Sequence, residues 1–229
     1  MARVLAWLGG AFFVASLAYT FYFYVLVLGD SQPDHAVTLA RAGALNTLLF
    51  GIFAAHHSVF ARETVKQWLT RVIPPRLERS CYVWVASLLL ILVCVLWQRV
   101  AGTVYVIEDG ARWLFYALQF LGLFLIMRAA SVIDPFELAG IRQAQRQDTF
   151  VFRTDGPFGL VRHPIYLGWL LMTFATPTMT INRLLFAAIS SAYLVVAIPW
   201  EERSLAAAFG DRYRAYQARV RWRLIPGVW

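Results

Sequence analysis

The residues whose types and spacing could do chemistry concentrate between Asp155 and Pro226. This stretch begins Asp-Gly-Pro-Phe-Gly-Leu-Val-Arg-His-Pro-Ile-Tyr-Leu-Gly, crosses an apolar hairpin and emerges into Glu-Glu-Arg-Ser-Leu with a basic, tyrosine-bearing tail. Pro164 opens an apolar run, and proline suits the first helical turn, where its missing N–H breaks no bond. A helix is expected to start there. Its first N–H groups and positive dipole end favour an anion, with Arg162 and His163 just outside as further donors. That makes a seat for a carboxylate or phosphate. Gly156 and Gly159 keep the preceding loop clear of side-chain bulk, so a ligand can approach its backbone. Tyr166 and Gly168 follow in the first helical turns, one an aromatic edge with a hydroxyl, the other a gap. The plainer reading is a Gly-Pro loop with interfacial Arg, His and Tyr anchors.

Glu201 and Glu202 directly follow Val-Val-Ala-Ile-Pro-Trp, at or near the end of a membrane helix. Carboxylates at that depth are expensive and usually functional. Pro199 removes one helical hydrogen bond and frees the carbonyl of Val195, so polarity gathers where a cationic ligand group would fit. The alternative is a wet helix end paired with Arg203 or Arg212.

Positioning these groups falls to apolar helices. At 60% hydrophobic and 15% charged residues over 229 positions, the chain reads as a membrane protein with short loops. The expected fold class is all-α, a polytopic membrane helix bundle of about six transmembrane helices (five to six), with a C-terminal hairpin and a cytoplasmic amphipathic tail. The expected spans are 4–28, 42–60, 81–97, 113–133, 164–181 and 184–200. The first is too long for a signal-peptide core and is read as retained. The last two form a hairpin around Asn182-Arg183, with Pro177 kinking or shortening the first arm. Asp134-Pro135 is expected to stop a helix and Asp155-Gly156-Pro157 to make a turn within a long polar segment, 134–163. Gly210 is expected to end the last long helix, and Asp211 to cap a short amphipathic one carrying Tyr213 and Tyr216. The organisation expected is 1–133 as N-terminal transmembrane helices and 134–229 as the functional core, in one integrated domain.

His56-His57 near the end of the second span lack any metal-ligand spacing, and an interfacial or hydrogen-bonded histidine is the better reading. No metal site follows from the sequence. The two cysteines read as small buried apolar residues. If the N-terminus is cytoplasmic and there are six spans, that side carries about seventeen of the 21 Lys and Arg residues, as the positive-inside rule requires. The 155–163 loop and the tail after Trp200 then share the cytoplasmic face. Orientation and anionic membrane lipid account for the net charge of +8, and no nucleic acid partner is needed.

Together these motifs resemble a family. Gly-Pro-Phe-Gly-Leu-Val-Arg-His-Pro-Ile-Tyr-Leu-Gly at 156–168, Glu-Glu-Arg-Ser-Leu at 201–205, Phe209-Gly210, Tyr213, Tyr216, Val220 and Pro226 are similar to the C-terminal signature of the isoprenylcysteine carboxyl methyltransferases and related phospholipid methyltransferases. His57 to Arg62, Glu78-Arg79-Ser80, Phe136 to Gln143 and Ala175 to Thr180 resemble the bacterial methanethiol S-methyltransferase branch. The resemblance implies an integral-membrane enzyme, in the bacterial inner membrane, using S-adenosyl-L-methionine. The expected cofactor-binding residues are Gly156, Gly159, Arg162, His163, Tyr166, Glu201, Glu202, Tyr213 and Tyr216. The methionine carboxylate is assigned to Arg162, His163 and the helix N-terminus, the amine to Glu201 or Glu202, and the adenosine or sulfonium to the tyrosines. Arg142 and His57 are the expected catalytic residues, supporting a thiolate or taking its proton. A small thiol is the expected substrate. A lipid-like substrate (an isoprenylcysteine carboxylate or a phospholipid amine) and a non-catalytic membrane protein of the same superfamily are the alternatives. A transporter would need repeat symmetry or matching broken helices, which the sequence lacks. No oligomeric state follows from it.

Overall fold

Long apolar runs become helices because a bilayer offers no water to their backbone N–H and C=O groups, so each must pair within its own segment. In the computed structural model, which describes residues 2–60, 62–145 and 152–229, five helical runs are long and apolar enough to cross a membrane. The chain separates into two units: Met1–Gly102 with Asp134–Phe150, and Thr103–Ile133 with Val151–Trp229. Residues 146–151 of the expected polar segment, and Ala61 of the His57 to Arg62 motif, lie outside the described residues.

In the first unit, α1 (Ala2–Tyr22) widens into a π-turn at Phe23–Val27, and α2 (Leu39–Val59), the short α3 (Glu63–Leu69) and α4 (Glu78–Val95) follow. The third long run begins at Pro75 with a 3-10 turn. α4 packs between α1 and α2. The Trp84 indole donates to the Leu5 carbonyl at 3.1 Å and stacks on Phe12, and near the other end Thr20 Oγ1 lies 3.7 Å from Cys94 Sγ, so α1 and α4 run parallel. α2 runs antiparallel to α4. It is pinned at one end by the fully buried Asn46, which exchanges two hydrogen bonds with the Gln98 backbone, and at the other by the pairing of His57 with Tyr82. Two four-residue helices complete the unit, α6 (Pro135–Leu138) and α7 (Ile141–Ala144).

The second unit holds β1 (Thr103–Val106), α5 (Arg112–Ile133), α8 (Pro164–Phe174), β2 (Thr178–Thr180), α9 (Ile181–Phe209) and α10 (Asp211–Arg219). α8 packs against both α5 and α9. At the α5 crossing a Cβ on Gly168 would lie 2.6 Å from the Gly122 carbonyl oxygen, and a Cβ on Gly122 equally close to that of Gly168. The gap expected at Gly168 is thus filled by a neighbouring backbone. The eleven residues of α8 rise about 16 Å, well short of the ~30 Å apolar core of a bilayer. Extended chain completes the distance. β2 pairs antiparallel with β1, so the segment from Arg162 to Thr180 runs the length of α5 as helix and then strand. This replaces the expected helix to 181, because Thr176-Pro177-Thr178 cannot continue one.

Two further expectations are corrected. Asn182-Arg183 is not the hairpin turn: Thr180 caps α9 by accepting the Arg183 N–H at 3.1 Å, which puts both residues in its first turn. Beyond the expected span end at Trp200, α9 continues unbroken through Pro199 to Phe209 and closes at Gly210, as expected, with φ +54. Asp211 lies in the first turn of α10, not at its cap, and pairs with Arg214 at 2.9 Å.

Candidate active site

In the second unit the polar groups converge on Glu202. One turn of α9 presents Glu201 and Glu202 toward the start of α8. Glu202 Oε1 accepts from Arg162 Nε at 2.6 Å, and Oε2 from Arg223 Nε at 3.1 Å and Gln217 Nε2 at 3.5 Å. The Arg162 Nη1 also donates to the carbonyls of Val220 and Arg221, at 2.8 and 2.9 Å. Side chains of Arg162 and Glu202 are 7% and 5% exposed. A charge this deeply buried needs its partner in place.

Glu201 differs. Its side chain is 45% exposed, and Oε2 accepts the Tyr166 hydroxyl at 2.8 Å. The His163 ring stacks on Tyr166 with centroids 5.3 Å apart and lies between the two carboxylates, Nδ1 3.5 Å from Glu201 and Nε2 3.5 Å from Glu202. Burial alone would lower the imidazole pKa, but the two carboxylates outweigh it and the net shift is upward.

The tail closes this cluster. Backbone N–H groups of Arg162 and His163 donate to the carbonyls of Trp222 and Arg223, both at 2.9 Å. Two donors of the expected anion seat are therefore occupied by the chain itself. Tyr213 and Tyr216 are 1% and 5% exposed and form, with Val220, a small core against Phe152, Leu205, Ala206 and Phe209. They stand in the described chain as packed rings, not as an open wall. Tyr216 donates to the Phe158 carbonyl at 2.7 Å, and burial pushes its pKa up to about 12. Burial and the Glu202 charge push the Tyr213 phenol up as well. Tyr213 Oη is buried with no hydrogen-bond partner among the described residues, and buried His163 Nε2 has the charge of Glu202 at 3.5 Å but no aligned hydrogen bond. An orphaned polar atom of this kind calls for a ligand or a water. Gly156 adopts φ +57 in a 3-10 turn, which a side chain would strain, while a Cβ on Gly159 would meet only the Thr154 carbonyl, at 4.0 Å.

Arg142 and His57 belong to the first unit. The first turns of α4 touch the surroundings of both: Ser80 Oγ donates to the Gly140 carbonyl at 3.0 Å, and the Tyr82 hydroxyl lies 2.7 Å from His57 Nδ1. Arg142 Nε donates to Asp134 Oδ2 at 2.8 Å, and its guanidinium lies 5.7 Å over the Phe136 ring. Nearby, the Arg79 N–H donates to Gln143 Oε1 and the Arg79 Nε to the Glu137 carbonyl, each at 2.9 Å. His57 stacks on Phe53, and His56 lies between Tyr82 and Phe60.

Residues 118–207 match the model of the isoprenylcysteine carboxyl methyltransferase family. The chain is 37% identical over 217 residues to a methanethiol S-methyltransferase of Mycobacterium tuberculosis, covering 91% of this chain and 89% of that protein. A methanethiol S-methyltransferase 2 of Bradyrhizobium diazoefficiens is 39% identical over 188 residues, 80% of this chain and 73% of its own length. Nurim of Sus scrofa is 30% identical over 190 residues, 75% and 70% of the two chains. The chain belongs to the isoprenylcysteine carboxyl methyltransferase family. It is an integral-membrane methyltransferase. No solved structure matches it.

The matched region of this methyltransferase includes Arg162, His163, Tyr166, Glu201 and Glu202 and stops short of Gln217 and Arg223. Sequence reasoning singled out the first five. It passed over Gln217 and Arg223, which reach Glu202 from fifteen and twenty-one positions away, and over Tyr82. For Tyr82 a signal existed: it stands two residues after the Glu78-Arg79-Ser80 motif.

Proposed function

We propose that this methyltransferase uses S-adenosyl-L-methionine to methylate a small thiol, methanethiol, to dimethyl sulfide. The observation that carries the reading is near full-length similarity to proteins named for that acceptor. The donor is assigned to the second unit. Its methionine end is a zwitterion, and the cluster offers both signs of charge together with the orphaned Tyr213 Oη and with His163 Nε2, which has no aligned hydrogen bond. Glu201, half exposed and held by Tyr166, is the acceptor for the ammonium, whereas Glu202 is committed to Arg162 and Arg223. His163, its positive charge favoured by both carboxylates, serves the carboxylate side with Arg162 behind it. Tyr213 and Tyr216 support the adenosine side, and Gly156 and Gly159 leave their backbone approachable. When bound, the donor would supply an electrophilic methyl carbon to which the acceptor sulfur bonds, the old carbon–sulfur pair leaving with the donor's own sulfur as a neutral thioether.

A thiol must lose its proton before it is a good nucleophile. His57, fixed by Tyr82, is assigned to take that proton, and Arg142 to stabilise the thiolate. The excess of Lys and Arg on the loops that carry the cluster supports cytoplasmic termini in a bacterial inner membrane, the compartment where the donor is made.

Purified protein given S-adenosyl-L-methionine and methanethiol should release dimethyl sulfide into the headspace, at a rate rising with pH as the thiol ionises. Headspace sulfide at the no-enzyme level, with methylation of a prenylcysteine or an aminolipid under the same conditions, would overturn the thiol reading and leave the methyltransferase intact.

A further inference from the structure

Asp134 is the one non-glycine residue with positive φ among the described residues, at φ +89 and ψ +109. Such a backbone is costly for a residue with a Cβ, and it persists only where the surroundings over-determine it. The surroundings do so here. Oδ1 accepts the Phe136 N–H at 2.9 Å, and the main-chain oxygen accepts the N–H groups of Glu137 and Leu138, both at 3.1 Å. Those bonds cap α6, and asparagine or serine would serve a cap equally well. Oδ2 does something a cap does not need, accepting Arg142 Nε at 2.8 Å.

The helix that carries Arg142 is itself firmly placed. Gly140 begins it with φ +73, where a Cβ would lie 3.1 Å from the Arg79 backbone, and Ser80 holds the Gly140 carbonyl. Ile141 is buried against Gly10 of α1, and Gln143 receives the Arg79 N–H. With that helix fixed, what sets the aim of the guanidinium is its side chain, gripped by Asp134 on one side and lying over Phe136 on the other.

We infer that Asp134 is a positioning residue for thiol methylation: its strained backbone places a carboxylate that aims the Arg142 guanidinium at the thiolate. The inference rests on the assignment of Arg142 to the thiolate. Rotational freedom of a flexible cation next to a small anion wastes catalytic orientation, and fixing it in advance avoids that loss.

Turnover of methanethiol and binding of S-adenosyl-L-methionine are to be measured on wild type, Asp134→Asn, Asp134→Gly, Arg142→Ala and the double variant Asp134→Asn/Arg142→Ala. Asp134→Gly relaxes the backbone and Asp134→Asn keeps the α6 cap, so a loss shared by the two comes from the missing carboxylate and from neither strain nor a lost cap. Both Asp134 variants should lower kcat/KM for the thiol by roughly tenfold to a hundredfold with donor affinity unchanged. In the Arg142→Ala background Asp134→Asn should add nothing, since the two act as one unit. Additive losses would make Asp134 merely structural and overturn the inference. So would full turnover in Asp134→Gly alongside a crippled Arg142→Ala. Full turnover in Arg142→Ala would instead remove the thiolate role of Arg142, and with it the positioning role.

Discussion

The two charged clusters of this methyltransferase are built on opposite plans. At Glu202 the central pair with Arg162 is almost wholly buried, and it is interlocked with the tail through Gln217 and the partly exposed Arg223. Around Arg142 the pair is partly exposed, 40% for the arginine side chain and 27% for Asp134, and is held by a strained backbone instead of by burial. A buried hub cannot lose a member without leaving a charge stranded, whereas an exposed pair can be cut with little effect on folding. Stability is therefore expected to be concentrated in the first cluster and turnover in the second, with Glu201 at the edge of the hub as a carboxylate that can meet a ligand.

Removing the hub should have the largest effect. Glu202→Ala strands Arg162 in a buried site and should destabilise the protein by about 3–5 kcal/mol, read as a lowered melting temperature in detergent. An unchanged melt would dissolve the contrast between the clusters. Next comes the helix crossing that carries the hub. Gly168→Ala drives a methyl group to 2.6 Å from the Gly122 carbonyl oxygen and should cost about 1–3 kcal/mol. The same change at Gly159, where the nearest atom is 4.0 Å away, should leave the melt alone and serves as its control.

The smallest effect is electrostatic. His163 has a folded-state pKa above its ordinary value, so the stability gained from its charged form is full below about 6.5 and is lost as pH rises through the folded value. The melting temperature of the donor-free protein should thus decline across that interval, and His163→Gln should flatten the decline. A decline of the same size in the variant would assign it to another group.

The spans were legible because apolar runs of spanning length leave few alternatives in a bilayer. The crossing at 162–180 was less so: its second half is strand, and the β1 partner that makes it one lies over seventy residues earlier. Thr180 as a cap, which shifts the start of α9 ahead of Asn182, is a local signal that the Asn-Arg pair obscured. At the site, Arg162, His163, Tyr166, Glu201 and Glu202 stood out because proline and depth in the membrane mark them in sequence. The split between Glu201 and Glu202 did not. Adjacent identical residues are told apart only by what folds against them, and the tail that saturates Glu202 comes from residues 217–223. Asp134 read as a helix stop, which it is, but its grip on Arg142 needs a left-handed backbone that no residue type other than glycine announces.

The division of labour is tested most directly by retention of radiolabelled S-adenosyl-L-methionine on purified protein, compared among wild type, Glu201→Ala and Arg142→Ala. Wild type and Arg142→Ala should hold the donor equally, and Glu201→Ala should hold roughly tenfold less or worse, as expected when a charge-assisted hydrogen bond is removed. Equal retention by Glu201→Ala, or loss of the donor in Arg142→Ala, would contradict the assignment of the donor to the Glu201 cluster and of the acceptor to Arg142.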